Sequence, residues 1–435
     1  MAGKRRDAQA GEVAVVADTT QVVIVGGGFA GVACARRLAG TPGIAVTLVD
    51  QRAEQEFTPL LYQVATAELP ATDVRFDLRQ RLGADAGSQL QVRTATVVAL
   101  TAAPDAAPGY TVTLDDGELL PGDVVVLAAG SRPAYVDVAG ADRFAYPLYS
   151  IDGAVQIRDR LRQRLGPNRR GRGFQLAVVG GGATGVEAAG ALADALGNGT
   201  GPLGSTTTLT LLEQGQILLP GFHDQSQQAA AAHLRERGVE IRCGATVTEV
   251  APDHLILSTG EVIPSDLTGW AGGVTAAPLV AAAGLPTGPG GRVTVTPELT
   301  VPGYPGLYAV GDAANIPTPG AAGGWLPQLA SVAAQSGQWA ARAIAAARRG
   351  EPGQPFRYQD RGVLALLDRQ TLIAELGERY HEVHGRLAFA SWLAVHAELV
   401  PDAETQLAGW RHWAAEFYLH PARQPATAPA EPVPS

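Results

Sequence analysis

Two copies of one glycine pattern, about 150 residues apart, limit this chain more than any other feature: Gly26-x-Gly28-x-x-Gly31 and Gly180-x-Gly182-x-x-Gly185. Each follows an apolar run (Val22-Val23-Ile24-Val25, then Leu176-Ala177-Val178-Val179) and each opens a stretch of small residues suited to a helix. Strand, tight turn and helix in that order make a cradle for a pyrophosphate. The first glycine permits the turn, the second lets backbone N–H groups approach the anion, and the third lets helix and strand pack closely; the helix N-terminus favours negative charge. The end of the next strand sharpens the reading. Val46-Thr47-Leu48-Val49 ends at Asp50, 19 residues past Gly31, and Leu209-Thr210-Leu211-Leu212 ends at Glu213, 28 residues past Gly185. Both acids fall where a ribose diol would be bound. Glu213 also speaks against a 2′-phosphate, which would want an arginine there, so NADH is expected in preference to NADPH. Two such units predict two bound dinucleotides.

A length of 435 residues suits two or three domains, and 46% hydrophobic residues suffice for cores without cross-links. The two cysteines, Cys34 and Cys243, fall in different units and form no Cys-x-x-Cys pair. Thiol exchange by an internal dithiol is thereby excluded, and a reducing, cytoplasmic compartment is expected. A formal charge of −9 and a pI near 5.4 argue against nucleic acid as a partner. The Lys4-Arg5-Arg6 start lacks a following apolar stretch of signal-peptide length, and no run of about 18 apolar residues is present to span a bilayer. The eight histidines show no metal-ligand spacing, so no metal site is expected.

Along the chain, strand-helix-strand at 21–50 is followed by an apolar loop at 57–70 and a β-rich stretch at 91–127; a second strand-helix-strand at 175–213 gives way to short strands up to about 300. The first unit is completed later. Leu307-Tyr308-Ala309-Val310 runs into Gly311-Asp312 and small residues, a segment that resembles the second flavin-binding motif of the two-dinucleotide-domain flavoprotein reductases. That resemblance implies tightly bound FAD, with Asp312 on its ribityl hydroxyls or phosphate. Ala128-Ala129-Gly130-Ser131-Arg132-Pro133 fits the crossover out of the FAD domain. The fold class expected is α/β, with two Rossmann-like domains, the NADH domain inserted in the FAD domain, and a short helical C-terminal region. The divisions are a flexible 1–19, FAD domain 20–150 and 290–385, NADH domain 151–289, C-terminal helices 386–420 and a flexible 421–435.

Four further segments point to one branch of that superfamily. Phe57-Thr58-Pro59-Leu60-Leu61-Tyr62-Gln63-Val64-Ala65-Thr66, Leu218-Leu219-Pro220-Gly221-Phe222, Trp270-Ala271-Gly272-Gly273-Val274 and Ser391-Trp392-Leu393-Ala394-Val395-His396 resemble type II NADH:quinone oxidoreductases, the single-chain, non-pumping dehydrogenases of respiratory membranes. The resemblance covers roughly 21–420 and implies hydride transfer from NADH to flavin N5, then two electrons to a quinone. It places Glu187 beside flavin and nicotinamide, to relay protons to the reduced quinone or steer hydride transfer; read from position alone, Glu187 is a first-turn carboxylate favoured by the helix dipole. It also places two glutamines, four apart on one helix face, near the quinone. Here Gln335 holds the second position and Ser331, which is shorter, the first. A quinone pocket of Pro327, Ser331, Gln335 and the Tyr62-Gln63 loop is the expectation.

The family's C-terminal helices lie at the membrane interface. Leu407, Trp410, Trp413, Ala414 and Phe417 recur at helical spacing, as an interfacial or a homodimer helix would have them. Residues 386–420 carry two arginines against four acids, a balance of 2 − 4 = −2. A basic residue near an anionic leaflet contributes about 1 kcal/mol, so peripheral attachment on the cytoplasmic face would rest on apolar area. Two other readings stay open: an NADH diaphorase or oxidase with a soluble acceptor or oxygen, and a redox-sensing flavoprotein. Sulfide:quinone and dithiol reductases require cysteine pairs that this sequence lacks.

Overall fold

A computed structural model describes residues 19–84, 88–102, 109–135, 137–165, 173–196, 207–318, 324–368, 370–376 and 379–384, with Leu387, 390–392 and Val395 beyond them. Strand β1 (Thr20–Val25) feeds helix α1 (Phe29–Leu38) and returns as β2 (Ile44–Asp50). A short helix α2 (Leu61–Ala65) precedes β3 (Leu90–Thr94) and β4 (Val124–Leu127). Then come β5 (Ala145–Pro147), α3 (Ile151–Leu165), β6 (Gln175–Val179), α4 (Ala183–Leu196), β7 (Thr208–Glu213), β8 (Val239–Cys243) and β9 (Leu267–Trp270). Finally β10 (Leu307–Ala309) leads to α5 (Ala330–Arg348) and to three strands, β11 (Val363–Asp368), β12 (Thr371–Leu376) and β13 (Arg379–His384).

Two parallel sheets result, ordered β10-β4-β1-β2-β3 and β5-β9-β6-β7-β8. In each, the strand leading into a glycine pattern is central, and the chain crosses to opposite sides of it. That is the switch point at which doubly wound sheets take ligands. The first sheet is closed by a strand 182 residues later than its neighbour β4, because β10 pairs Leu307 with Val125 and Ala309 with Leu127. The second sheet therefore lies in the chain between two parts of the first.

Helix α1 forms where small and apolar residues recur on one side: Ala30, Val32, Cys34, Ala35 and Leu38 are buried, and Arg36 and Arg37 sit in the last turn, where cations oppose the negative helix end. Fully buried side chains such as Ile24, Leu48 and Leu127 stabilise the first core by about 1.5–3 kcal/mol each. Helix α5 lies directly on α1. A Cβ at Gly337 would stand 2.0 Å from the Ala30 carbonyl, so only glycine permits this approach.

The second core recruits segments from elsewhere in the chain. Residues expected as an apolar loop, 61–65, form α2 instead; Pro59 opens the turn before it, and Leu61, Tyr62, Gln63, Val64 and Ala65 are all buried. They join α3, α4 and the β11-β12-β13 sheet in one cluster with Trp392. Gly190 makes that possible, since a Cβ there would meet the Leu367 carbonyl at 1.7 Å. Phe29, at the head of α1, packs against both cores and meets Phe57 edge-on at 5.6 Å between ring centres.

Candidate active site

The two glycine turns have the same geometry, contact for contact. Gly26 and Gly180 have φ of +108° and +109°, and a Cβ would stand 2.3 Å from the Ala128 carbonyl in one and 2.2 Å from the Ala271 carbonyl in the other. At Gly31 and Gly185 a Cβ would fall 1.8 Å from the carbonyl of the first glycine. Gly28 and Gly182, by contrast, have nothing within 4 Å of where a Cβ would be. The middle glycine of each turn thus presents bare backbone to open space, as a phosphate-binding turn requires.

The strand-end acids are equally matched. Asp50 Oδ2 accepts the Gly27 N–H at 2.6 Å, and Glu213 Oε2 accepts the Gly181 N–H at 2.5 Å. Their other oxygens accept from Arg52 N (2.8 Å) and Gly215 N (2.6 Å). Each carboxylate is therefore held beside its glycine turn with lone pairs left for two ribose hydroxyls. Leu218 and Leu219, from the segment noted above, roof the second turn: Leu219 N–H donates to the Gly181 carbonyl at 2.7 Å. The Trp270-Ala271 run lies beneath it, and the Trp270 indole donates to Ala134 O at 3.0 Å.

At the first turn, Gly311 (φ +61°) lets its chain pass within contact of Ala30, and its N–H donates to Ser336 Oγ at 3.0 Å. Asp312 next to it receives the Ser131 hydroxyl at 2.8 Å, and Ser131 is itself 2.7 Å from the Tyr149 hydroxyl. Burial pushes the Asp312 carboxyl upward, against the pull of Ser131 and the nearby Arg292. Ser131 and Tyr149 line an open cleft of about 640 Å³ together with Gln51, Arg52 and Arg132. Tyr149 was not legible as a site residue. It stands in no spacing motif, and only the fold brings it to Ser131.

Glu187 projects from α4 toward α2 and β11. Its Oε1 accepts the Leu366 N–H at 3.1 Å, and burial raises its pKa to about 8 in spite of hydrogen bonds from Leu366 and the Trp392 indole. Trp392 is fully buried and meets Tyr62 edge-on at 6.4 Å. Tyr62 itself is pushed well up, by burial first and then by Glu187 and Glu68. The position is that of a carboxyl kept protonated at neutral pH, not of an exposed first-turn anion.

The five residues expected to form an acceptor pocket fall into two groups. Tyr62 and Gln63 are buried with Trp392 in the second core, beside the partly buried Glu187. Ser331 and Gln335 lie on one face of α5 against residues 358–359, with Ser331 Oγ 3.0 Å from the Tyr358 hydroxyl, and Pro327 is exposed just before that helix. Of the C-terminal segment 386–420 expected at a membrane or dimer contact, Leu387, 390–392 and Val395 are described, and the apolar face at 407–417 lies outside the described residues. Among the described residues no helix is long and apolar enough to cross a membrane, and no group of histidine, cysteine and acidic side chains could hold a metal. Cys34 is buried in the first core and Cys243 is exposed on the second sheet; both are free.

The family model of pyridine nucleotide-disulphide oxidoreductases matches residues 20–337, almost three quarters of the chain. A type II NADH:quinone oxidoreductase of Mycobacterium tuberculosis is 30% identical over 91% of this chain and 88% of its own length. The chain belongs to this reductase family, on its type II NADH dehydrogenase branch. A demethylphylloquinone reductase of Synechocystis is 28% identical over 90% of this chain and 95% of that one. Among solved structures, an NADH complex of Plasmodium falciparum NDH2 superposes with a TM-score of 0.78 at 17% identity, covering 92% of this chain and 99% of that one. The sulfide:quinone oxidoreductase of Aquifex aeolicus has the same fold, with a TM-score of 0.73 at 19% identity over 92% and 96% of the two chains. As a type II dehydrogenase relative, the chain combines the paired nucleotide turns of its family with two free cysteines in separate units.

Proposed function

We propose that the chain oxidises NADH and reduces a membrane quinone, with FAD held in the first nucleotide unit and NADH in the second. The observation that carries this reading is the contact-for-contact identity of the two glycine turns, each with its carboxylate seated on the turn and only the first having Gly311-Asp312 beside it. Gly26, Gly28 and Gly31 with Asp50 would hold the pyrophosphate and ribose of FAD, and Asp312, oriented by Ser131, its ribityl hydroxyls or phosphate. The residues fit such a group: the backbone at Gly28 is unobstructed, and Asp312 accepts from Ser131, which lines the cleft. When bound, FAD supplies a ring that takes a hydride at N5 and releases two electrons onward.

The remaining steps belong to the protein. The second turn offers the NADH pyrophosphate its unobstructed backbone at Gly182, with Gly180 permitting the turn and Gly185 the close packing of helix on strand, and Glu213, fixed by two amides, accepts from both ribose hydroxyls and repels a 2′-phosphate. Glu187 holds a proton near neutrality in a site shielded by Leu366 and Trp392, suited to supplying the one proton that quinone reduction needs beyond the hydride. Ser331 and Gln335 would lie at the acceptor end. The domain division at 150, 289 and 385 follows from the same assignment, and residues 386–420 are proposed for peripheral attachment to the cytoplasmic face of the membrane and for a homodimer contact.

Anaerobic mixing of the yellow protein with NADH, followed by menaquinone and ubiquinone analogues, tests the reading. Fast bleaching and fast recovery of colour are expected. A colourless protein that takes up no FAD, or a reduced protein that no quinone reoxidises, would refute it. In the same assay NADPH should bleach the flavin at least 10-fold more slowly, the discrimination expected of a buried carboxylate facing a phosphate.

A further inference from the structure

Gln335 is not a free amide. Its Nε2 donates to the Gln359 carbonyl at 3.0 Å and its Oε1 accepts the Gln359 N–H at 2.9 Å, so both ends of the side chain are engaged by one residue's backbone. Such a two-way clip fixes residues 358–359 in register on α5. One turn earlier on the same face, the Ser331 hydroxyl stands 3.0 Å from the Tyr358 hydroxyl. The Tyr358 ring packs at the edge of the first core and is half-buried. This part of α5 also adjoins the flavin-side turn: Gln328 just before it donates to Asp312 O at 3.2 Å, and Ser336 receives the Gly311 N–H.

We propose that Tyr358 is the hydrogen-bond donor to the carbonyl of the quinone acceptor, with Ser331 orienting its hydroxyl and Gln335 acting as a positioning residue that holds the Tyr358 segment in place. The inference rests on the quinone reading given above. Its chemistry is simple. A serine hydroxyl that donates to the phenol oxygen leaves the phenol proton free to point away from the helix. Phenol is the more acidic of the two hydroxyls and so the better donor to a carbonyl that gains negative charge on reduction.

The test is steady-state turnover of the FAD-loaded enzyme with NADH and a short-chain ubiquinone, compared with ferricyanide, an acceptor that takes electrons without a carbonyl hydrogen bond. Tyr358→Phe should raise the quinone KM roughly 5- to 10-fold, the loss of one neutral hydrogen bond, and lower the ratio of quinone to ferricyanide turnover. Ser331→Gln in the Tyr358→Phe background should recover most of the loss, because a glutamine amide can reach the same carbonyl; a purely structural tyrosine would not be rescued this way. Gln335→Ala should raise the quinone KM in an otherwise normal Tyr358 protein and add little to Tyr358→Phe. If wild-type enzyme reduces quinone and Tyr358→Phe has an unchanged KM, or loses turnover with both acceptors in step, the inference is overturned. If flavin is reduced by NADH but wild-type enzyme passes nothing to any quinone, the function proposed above fails, and this inference with it.

Discussion

At the scale of single residues, Glu187 gives the sharpest expectation. An unfolded-chain glutamate titrates near 4.3, whereas burial raises the folded one to about 8. Between these values the native protein keeps a proton that the unfolded chain releases, so stability falls as pH rises through that window and the whole cost is present above pH 8. Glu187→Gln keeps an oxygen for the Leu366 N–H and removes the titration. Its melting temperature should match the parent below about pH 4 and exceed it increasingly toward pH 8; parity at all pH values would show that Glu187 is not proton-bound in the fold. The same variant should lower quinone turnover at saturating NADH. The family resemblance pointed to Glu187, but its environment was not legible in the sequence: Leu366 is 179 residues away and Trp392 farther still.

At the scale of elements, local spacing carried the strands and helices of both nucleotide units, because a glycine turn and the strand before it are contiguous and their period is short. The β11-β12-β13 sheet is a different case. Its own sequence does not say which core it covers; the answer lies in two buried carboxylates that reach across to the second unit. Asp368 pairs with His233 at 2.7 Å and with Arg237, and it accepts the Gln370 N–H. Glu375 accepts the His223 N–H at 2.8 Å and the Ser226 hydroxyl. Burial pushes the Asp368 carboxyl up, but its hydrogen bonds to His233 and Gln370 and the charges of His233 and Arg237 outweigh that and hold it below the usual range. A depressed carboxyl contributes stability that is present above its unfolded pKa and lost as pH falls through the folded one. Asp368→Asn should therefore cost on the order of 2 kcal/mol at pH 7, less than for a fully enclosed pair because Arg237 is partly solvated, and progressively less in acid. Denaturant unfolding at pH 7 and near pH 3 measures both. Because β11 also supplies the Leu366 N–H, loosening this sheet should bring the titration of Glu187 back toward ordinary values.

For the whole molecule, the central question is whether two nearly identical turns do separable work. Each first glycine sits at a φ that L side chains rarely adopt, and a Cβ there would stand within 2.3 Å of a crossover carbonyl, so alanine at either position forces that turn open without touching the other. The two turns lie on different sheets whose cores meet through Phe29 and the antiparallel ribbon of Ser131–Pro133 with Val274–Ala276. Gly180→Ala is accordingly expected to purify yellow, with a KM for NADH raised at least about 10-fold and ferricyanide turnover reaching normal values only at high NADH. Gly26→Ala should purify largely colourless and regain colour weakly on addition of FAD. The reverse outcome, colour lost on changing Gly180 and kept on changing Gly26, would exchange the two nucleotides between the sheets. It would also remove the physical basis for assigning Asp312 to the flavin, since Asp312 reaches Ser131 only from the end of β10, the strand that closes the Gly26 sheet.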